Sequence, residues 1–219
     1  MLPLEGVRVI TVEHYAAGPY GTLQLADLGA EVIKIENRAQ KGDPIRQMGP
    51  GGGLGNLDSL SFQAFNRNKR SLSLDLKSDQ GKEIFGKLVS TADAVMCNLR
   101  GDQPEKLGLT YGQLKGHNPR IVCGLISAYG RDGPRRDWPG FDYLMQAETG
   151  YLFMSGEPNG PPARMGLSII DHLAGLTTSL ALVSSIMKAR ETGEGRDIDV
   201  SLFDVAAHQL NYVGAWYLN

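Results

Sequence analysis

The segment Arg8-Val-Ile-Thr-Val-Glu-His-Tyr-Ala-Ala-Gly-Pro-Tyr-Gly-Thr-Leu-Gln-Leu-Ala-Asp-Leu-Gly-Ala-Glu-Val-Ile-Lys-Ile-Glu36 decides the fold. Arg8 to Val12 is short and rich in β-branched residues, and reads as a buried strand. Glu13 to Pro19 reads as a loop. Pro19 suits the first turn of a helix, where its preset φ helps and its missing N–H is not needed. Leu23, Leu25, Ala26 and Leu28 give that helix its apolar residues, and Gly29 ends it. Glu31 to Glu36 is a second strand. Strand, helix and strand in this order form a βαβ unit, which implies parallel pairing and a right-handed crossover.

Such a unit invites the dinucleotide test, which asks for G-x-G-x-x-G after the first strand so that backbone can approach a pyrophosphate. Ala17-Gly-Pro-Tyr-Gly21 stands there instead, with two glycines and a proline that has no N–H to offer. Glu36 does close the second strand, as a ribose-binding acid would. The reading is against a nicotinamide or flavin site.

Outward from this unit, residues 37–67 are polar and Gly-rich and lack a clear period. Gly51-Gly-Gly53 reads as loop, not as a phosphate cradle, since no helical pattern follows it directly. Asn66-Arg-Asn-Lys-Arg70 is either a solvated turn or an anion contact. Ser71 to Leu76 alternates and predicts a half-exposed strand. A helix is expected over about Ser78 to Ser90, with Ile84, Phe85, Leu88 and Val89 on its core face. Ala94 to Cys97 is a buried strand, Tyr111 to Lys115 a short helix resting on Leu114, and Arg120 to Ser127 a strong buried strand. Phe141 to Thr149 reads as a helix. After a long helix and the turn Thr192 to Arg196, Asp197 to Ser201 alternates as a strand. A last helix carries Leu202, Val205, Ala206, Leu210, Val213 and Trp216. This order predicts a Rossmann-like, doubly wound α/β fold with a mostly parallel sheet. Ligands of such sheets bind outside the carboxyl ends of the strands, here followed by Glu13-His14, Glu36-Asn37, Asn98-Leu99 and Ser127-Ala-Tyr129.

The long helix is the second informative stretch. The Gly/Pro loop from Gly160 runs into apolar Leu167 to Ile170, then Asp171, and a helical pattern follows. Leu173, Leu176, Leu180, Val183 and Met187 recur at spacings of three and four and predict its core face. Asp171 falls at the helix start, where free N–H groups and the macrodipole favour a negative charge. It is either a simple N-cap or a functional carboxylate.

Composition sets bounds. The 219 residues are 42% hydrophobic and 21% charged, so a core of ordinary size is available. A net charge of −2 gives no general reason to expect a nucleic-acid partner. Cys97 and Cys123 lie in apolar runs, at a spacing that suits no metal, and read as buried thiols of a cytoplasmic protein. No apolar run reaches about 18 residues, and Met1-Leu-Pro-Leu-Glu-Gly lacks a signal-peptide core. No membrane, no metal and no permanently bound cofactor are expected.

In combination the motifs resemble the class III coenzyme A transferases, the family of formyl-CoA transferase, crotonobetainyl-CoA:carnitine CoA-transferase and α-methylacyl-CoA racemase. The resemblance rests on His14-Tyr-Ala-Ala-Gly-Pro19, Leu28 to Glu36, Asn68 to Lys77, and Asn98 with Lys106-Leu-Gly-Leu109. It continues through Pro139-Gly-Phe-Asp142, Gln146-Ala147, Gly156 to Pro162, Asp171 and Arg190 to Val200. It implies a Rossmann-like large domain, assigned to residues 1–200, and a helix at 201–219 leading toward a linker. The family's small domain, with its glycine-rich loop, and its interlocked homodimer lie beyond this chain. Gly51 to Gly53 comes too early to be that loop.

By the same resemblance Asp171 is the nucleophile that takes the acyl group of an acyl-CoA substrate as an anhydride. His14 and Ala17 line the thioester end, and Asn37 and Arg38 face adenosine. Leu74, Asp75, Leu76 and Lys77 form the adenine wall. Asn98, Leu99, Lys106 and Leu107 meet pantetheine and phosphate. Two departures matter. Phe141 stands where the racemases carry a His, which argues against α-proton chemistry unless Asp142 or His172 replaces that base. Ala16 stands where formyl-CoA transferases carry Gln, which argues against oxalate or formate. The expected activity is CoA transfer between carboxylic acids. A small dicarboxylate acceptor is suggested, its second carboxylate paired with His14, Arg164 or Arg46. A racemase and a non-catalytic CoA-binding fragment, in which Asp171 only caps its helix, are the alternatives.

Overall fold

A computed structural model describes residues 1–49 and 58–219; Gly51 to Gly53 lie outside the described residues. The elements run β1 (Arg8–Val12), α1 (Ala17–Asp27), β2 (Glu31–Glu36), α2 (Leu60–Asn66), β3 (Lys69–Ser73), α3 (Asp79–Val89), β4 (Ala94–Asn98), α4 (Gln103–Lys106) and α5 (Tyr111–Leu114). They continue with β5 (Val122–Ser127), α6 (Asp142–Glu148), α7 (Tyr151–Met154), α8 (Ile169–Thr192), β6 (Arg196–Ser201), α9 (Leu202–Gln209) and α10 (Asn211–Leu218). Two 3-10 turns, Arg38–Gln40 and Pro44–Gln47, fill the segment after β2.

The strands form one sheet in the order β3-β2-β1-β4-β5-β6, every pair parallel. Chain direction across the sheet reverses between β1 and β4, so a crevice opens beyond their carboxyl ends. Alternation along the strands feeds two cores. Val9, Met96, Val122 and Ile126 face α1, α8 and α9. Ile10, Val12, Val95, Cys97, Cys123 and Leu125 face Phe85, Val89, Leu109 and Leu114 on the other side. Both thiols are buried and unpaired.

Several expectations shift. The third strand lies at Lys69–Ser73, starting two residues before the alternating Ser71–Leu76 stretch and overlapping only its first half. The aperiodic residues 37–67 include α2 and the two 3-10 turns, and the last helix is broken at Leu210. Ile84 faces out, while Phe85 and Val89 are buried.

The clearest correction concerns α8. Only part of its apolar stripe meets the core: Leu173 and Val183 pack against it partly buried, while Leu176 is exposed, Leu180 is 71% exposed and Met187 70%. The buried side is Ile170, Ala174, Gly175, Thr178, Ser179, Leu182, Ile186 and Ala189. Small residues face inward because α8 presses against α1, where a methyl added at Gly21 or Gly175 would strike the backbone of the other helix. Close backbone approach yields more contact than a bulky stripe would allow. α8 is long and apolar enough to cross a membrane by length and composition, but here it packs along α1 and β5.

Candidate active site

At the crevice between β1 and β4, the last residue of β4 braces the loop after β1. Asn98 Oδ1 accepts from His14 N at 2.8 Å, and Asn98 Nδ2 donates to His14 O at 2.7 Å. The next residue, Tyr15, has φ of 60°, a left-handed conformation that costs a bulky side chain about 1–3 kcal/mol. Its N–H donates to Asp43 Oδ1 at 3.1 Å.

Two cavities share this brace. The first, about 230 Å³, is lined by His14, Tyr15, Ala17, Asn98, Phe141 and Asp171, among others. The second, about 190 Å³, is lined by His14, Asn37, Leu74, Asp75, Leu76, Lys77, Leu99 and Leu107, among others. Leu99 lines both, so the two adjoin at His14 and Leu99. Two expected positions stand apart. Lys106 turns its ammonium to Asp102 at 2.6 Å and borders a different, polar cleft. Arg38 opens an exposed 3-10 turn and lines neither cavity.

Asp171 is the third residue of α8 and does not cap it. The capping carboxylate comes from α6: Asp142 Oδ2 accepts from Ile170 N at 2.7 Å and from Asp171 N at 3.2 Å. Asp142 Oδ1 accepts from Gln146 Nε2 at 2.5 Å, and Gln146 Oε1 accepts from Met165 N at 3.1 Å. This latch fixes both the Asp171 backbone and the loop before it. Among the described residues no hydrogen bond reaches the Asp171 carboxylate. Partial burial, then repulsion from Asp142, push its pKa up to about 7, against the pull of Arg164. The expectation that the helix start would keep Asp171 readily ionised is therefore outweighed, because Asp142 has already taken the free N–H groups.

His14 is pushed below the usual imidazole range by burial, Asp43 opposing and Lys34 assisting. Neither residue proposed to stand in for the missing histidine is free to do so. Asp142 is buried with both oxygens engaged. His172 stacks on Tyr20 with ring centroids 4.1 Å apart and lines neither cavity. Phe141 lies edge-on to Tyr15 at 6.3 Å and stacked on Tyr143 at 5.9 Å.

Glu36 is fully committed. Arg46 donates to it at 2.6 and 2.8 Å, Ser71 Oγ at 2.6 Å and Asp43 N at 3.0 Å. A ribose hydroxyl would have to displace these donors, which agrees with the sequence reading against a dinucleotide. Arg46 also lies 3.5 Å from the Phe62 ring centroid, so it is not placed for a substrate carboxylate. The basic run at 66–70 is in part the solvated turn, with Arg67 and Arg70 exposed on the surface, while Lys69 is drawn inside. Lys69 pairs with Glu13, Arg67 with Asp27 and Arg70 with Glu31. Sequence reasoning missed Asp43, although Asp before Pro44 at the start of a 3-10 turn is a legible capping signal.

A family model for CoA-transferase family III matches residues 4–219. The succinate–glutarate CoA-transferase of Agrobacterium fabrum is 37% identical over 220 residues, covering 96% of this chain and 55% of that protein. The acetyl-CoA:oxalate CoA-transferase of Acetobacter aceti is 39% identical over 203 residues, covering 92% of this chain and 51% of that protein. A crystal structure of a CAIB/BAIF family protein from Brucella suis superposes with a TM-score of 0.92 at 34% identity, covering 99% of this chain and 57% of that one. The chain thus spans about half the length of the curated relatives it matches.

Proposed function

Since the chain belongs to CoA-transferase family III, we propose that it carries the nucleophile and the CoA groove of an enzyme moving CoA between carboxylic acids. The observation that carries this reading is the pair of adjoining cavities. One holds a carboxylate with no hydrogen bond among the described residues, and the other is an apolar wall edged by Asn37 and Lys77. A thioester lying across His14 and Leu99 presents its carbonyl to Asp171 while its nucleotide end rests toward Leu74.

The Asp171 carboxylate attacks the thioester carbon, the C–S bond breaks, and an aspartyl–acyl anhydride and CoA thiolate form. The thiolate then attacks the aspartyl carbonyl, releasing the donor acid and leaving an aspartyl–CoA thioester. The acceptor carboxylate attacks that thioester, giving a second anhydride and free thiolate. Thiolate attack on the acceptor's acyl carbon yields the new acyl-CoA and restores Asp171. The raised pKa suits a nucleophile whose basicity is used, provided the pH lies near or above 7.

The acceptor is read as a small dicarboxylate, supported by the acids that relatives are named for, glutarate and oxalate. Arg164 is the cation whose field reaches Asp171, and it is assigned to the second carboxylate. The exposed Leu180, Met187, Trp216 and Tyr217 are read as surface that an interlocked homodimer covers. Two unpaired thiols fit a reducing, cytoplasmic setting.

Incubating the protein with succinyl-CoA and glutarate should yield a new thioester, with oxalate and acetate as comparison acceptors. Hydroxylamine should trap a hydroxamate at Asp171. Asp171→Ala should lower transfer by at least about 1,000-fold while CoA binding persists; undiminished transfer in that variant refutes the assignment.

A further inference from the structure

The loop that joins the two cavities is held from beneath by charges that no solvent reaches. Lys69 Nζ lies 2.9 Å from Glu13 Oε1, Glu13 Oε1 lies 3.8 Å from Lys34 Nζ, and Lys34 Nζ lies 2.7 Å from Asp43 Oδ2. Glu13, Lys34 and Asp43 are each at most 1% exposed. The other Asp43 oxygen accepts from Tyr15 N and from Ile45 N, each at 3.1 Å, and Asp43 N donates to Glu36. Desolvating four charges costs more than apolar side chains of similar size would. Such an array is retained where it fixes geometry that apolar contacts leave loose.

What it fixes here is the left-handed Tyr15. An unanchored Tyr at positive φ relaxes to negative φ, and that rotation swings its ring off Phe141 and tilts the His14 peptide. Asn98 holds His14 on one side and Asp43 holds Tyr15 on the other, so neither end of this short turn moves alone. Asp43 itself lines neither cavity.

We propose that Asp43 is a positioning residue for the chemistry at Asp171: anchored by Lys34, it locks the strained Tyr15 turn that keeps Tyr15 and His14 on the cavity walls. The link to chemistry rests on the function proposed above; the lock itself does not.

Two charge-balanced double variants isolate it. Lys34→Met with Asp43→Asn keeps an acceptor for Tyr15 N–H, whereas Lys34→Met with Asp43→Ala removes it. The Ala variant should exchange its Tyr15 amide hydrogen at least about tenfold faster than the Asn variant. It should also lose roughly 30-fold in kcat, with KM for the acyl-CoA within about threefold, as expected for misplaced walls and not for lost binding. Equal exchange and equal kcat in the two variants overturn the proposal. If the parent protein shows no transfer at all, the function proposed above fails, and amide exchange alone decides the lock. Should either double variant not fold, Tyr15→Gly serves instead, because glycine adopts positive φ freely. It should raise the thermal midpoint while lowering kcat, and a variant that does neither refutes the strained turn.

Discussion

Glu36 and Asp171 are two carboxylates withdrawn from water near the carboxyl-end face of one sheet, and their surroundings drive them in opposite directions. Burial alone would raise Glu36. Hydrogen bonds from Arg46, Ser71 and the Asp43 N–H, with the attraction of Arg46, outweigh it and bring its pKa to about 2. Asp171 feels burial and the repulsion of Asp142, with only Arg164 opposing, and stands at about 7. Burial is common to both, so it is the partners that decide. A carboxylate with every oxygen committed is a structural pin. A carboxylate left without donors beside a cavity is chemically available and costs stability when ionised.

Removing the pin gives the largest stability effect. Glu36→Gln removes the charge from a mostly buried ion pair with Arg46 and should destabilise by about 3 kcal/mol, read from the midpoint of denaturant unfolding at pH 7. The parent stability owed to Glu36 is present above pH 4.5 and lost as pH falls toward about 2. The variant should not show that acid loss.

Asp171→Asn should act the other way. Its folded pKa lies above the ordinary 3.8, so the native state binds more protons between pH 3.8 and about 7, and parent stability falls as pH rises across that window. The amide removes this loss. A gain on the order of 2 kcal/mol should appear at pH 8 and shrink toward zero near pH 3. A gain independent of pH would contradict the raised pKa.

A smaller effect sharpens the account of Asp171. In the parent, kcat/KM should rise as pH passes through about 7. Asp142→Asn keeps an oxygen for the Ile170 and Asp171 N–H groups but removes the like charge. The rise should move down by roughly half a unit. The smallest expected change is in selectivity. Arg164→Gln should raise KM for a dicarboxylate acceptor about fivefold, the size of one exposed charge contact, and leave a monocarboxylate acceptor unchanged.

Much of the frame was legible because the signals were local. The β-branched runs at Arg8–Val12 and Glu31–Glu36, the glycine stop at Gly29 and the helical pattern over about Ser78 to Ser90 each act within a few residues. The resemblance also gathered His14, Ala17, Asn98, Phe141 and Asp171, which the fold brings to one cavity. What failed depended on contacts far apart in sequence. The α8 leucines look like a core face by period, yet which face is inward was set by a glycine 154 residues earlier, Gly21 against Gly175. Lys69 looks solvated by composition, yet its ammonium is buried against Glu13, 56 residues earlier.

By itself, then, the sequence determined the order of strands and helices, the parallel sheet and the carboxylate at the start of α8, because backbone preference and periodicity are short-range properties of the chain. Only the tertiary structure decided which carboxylate caps α8 and which stands unpaired, which cations are spent inside the fold, and that Asp43 grips Tyr15. Charge and hydrogen bonding depend on distance in space, and residues such as Asp142 and Asp171, far apart along the chain, meet only when α6 and α8 pack together.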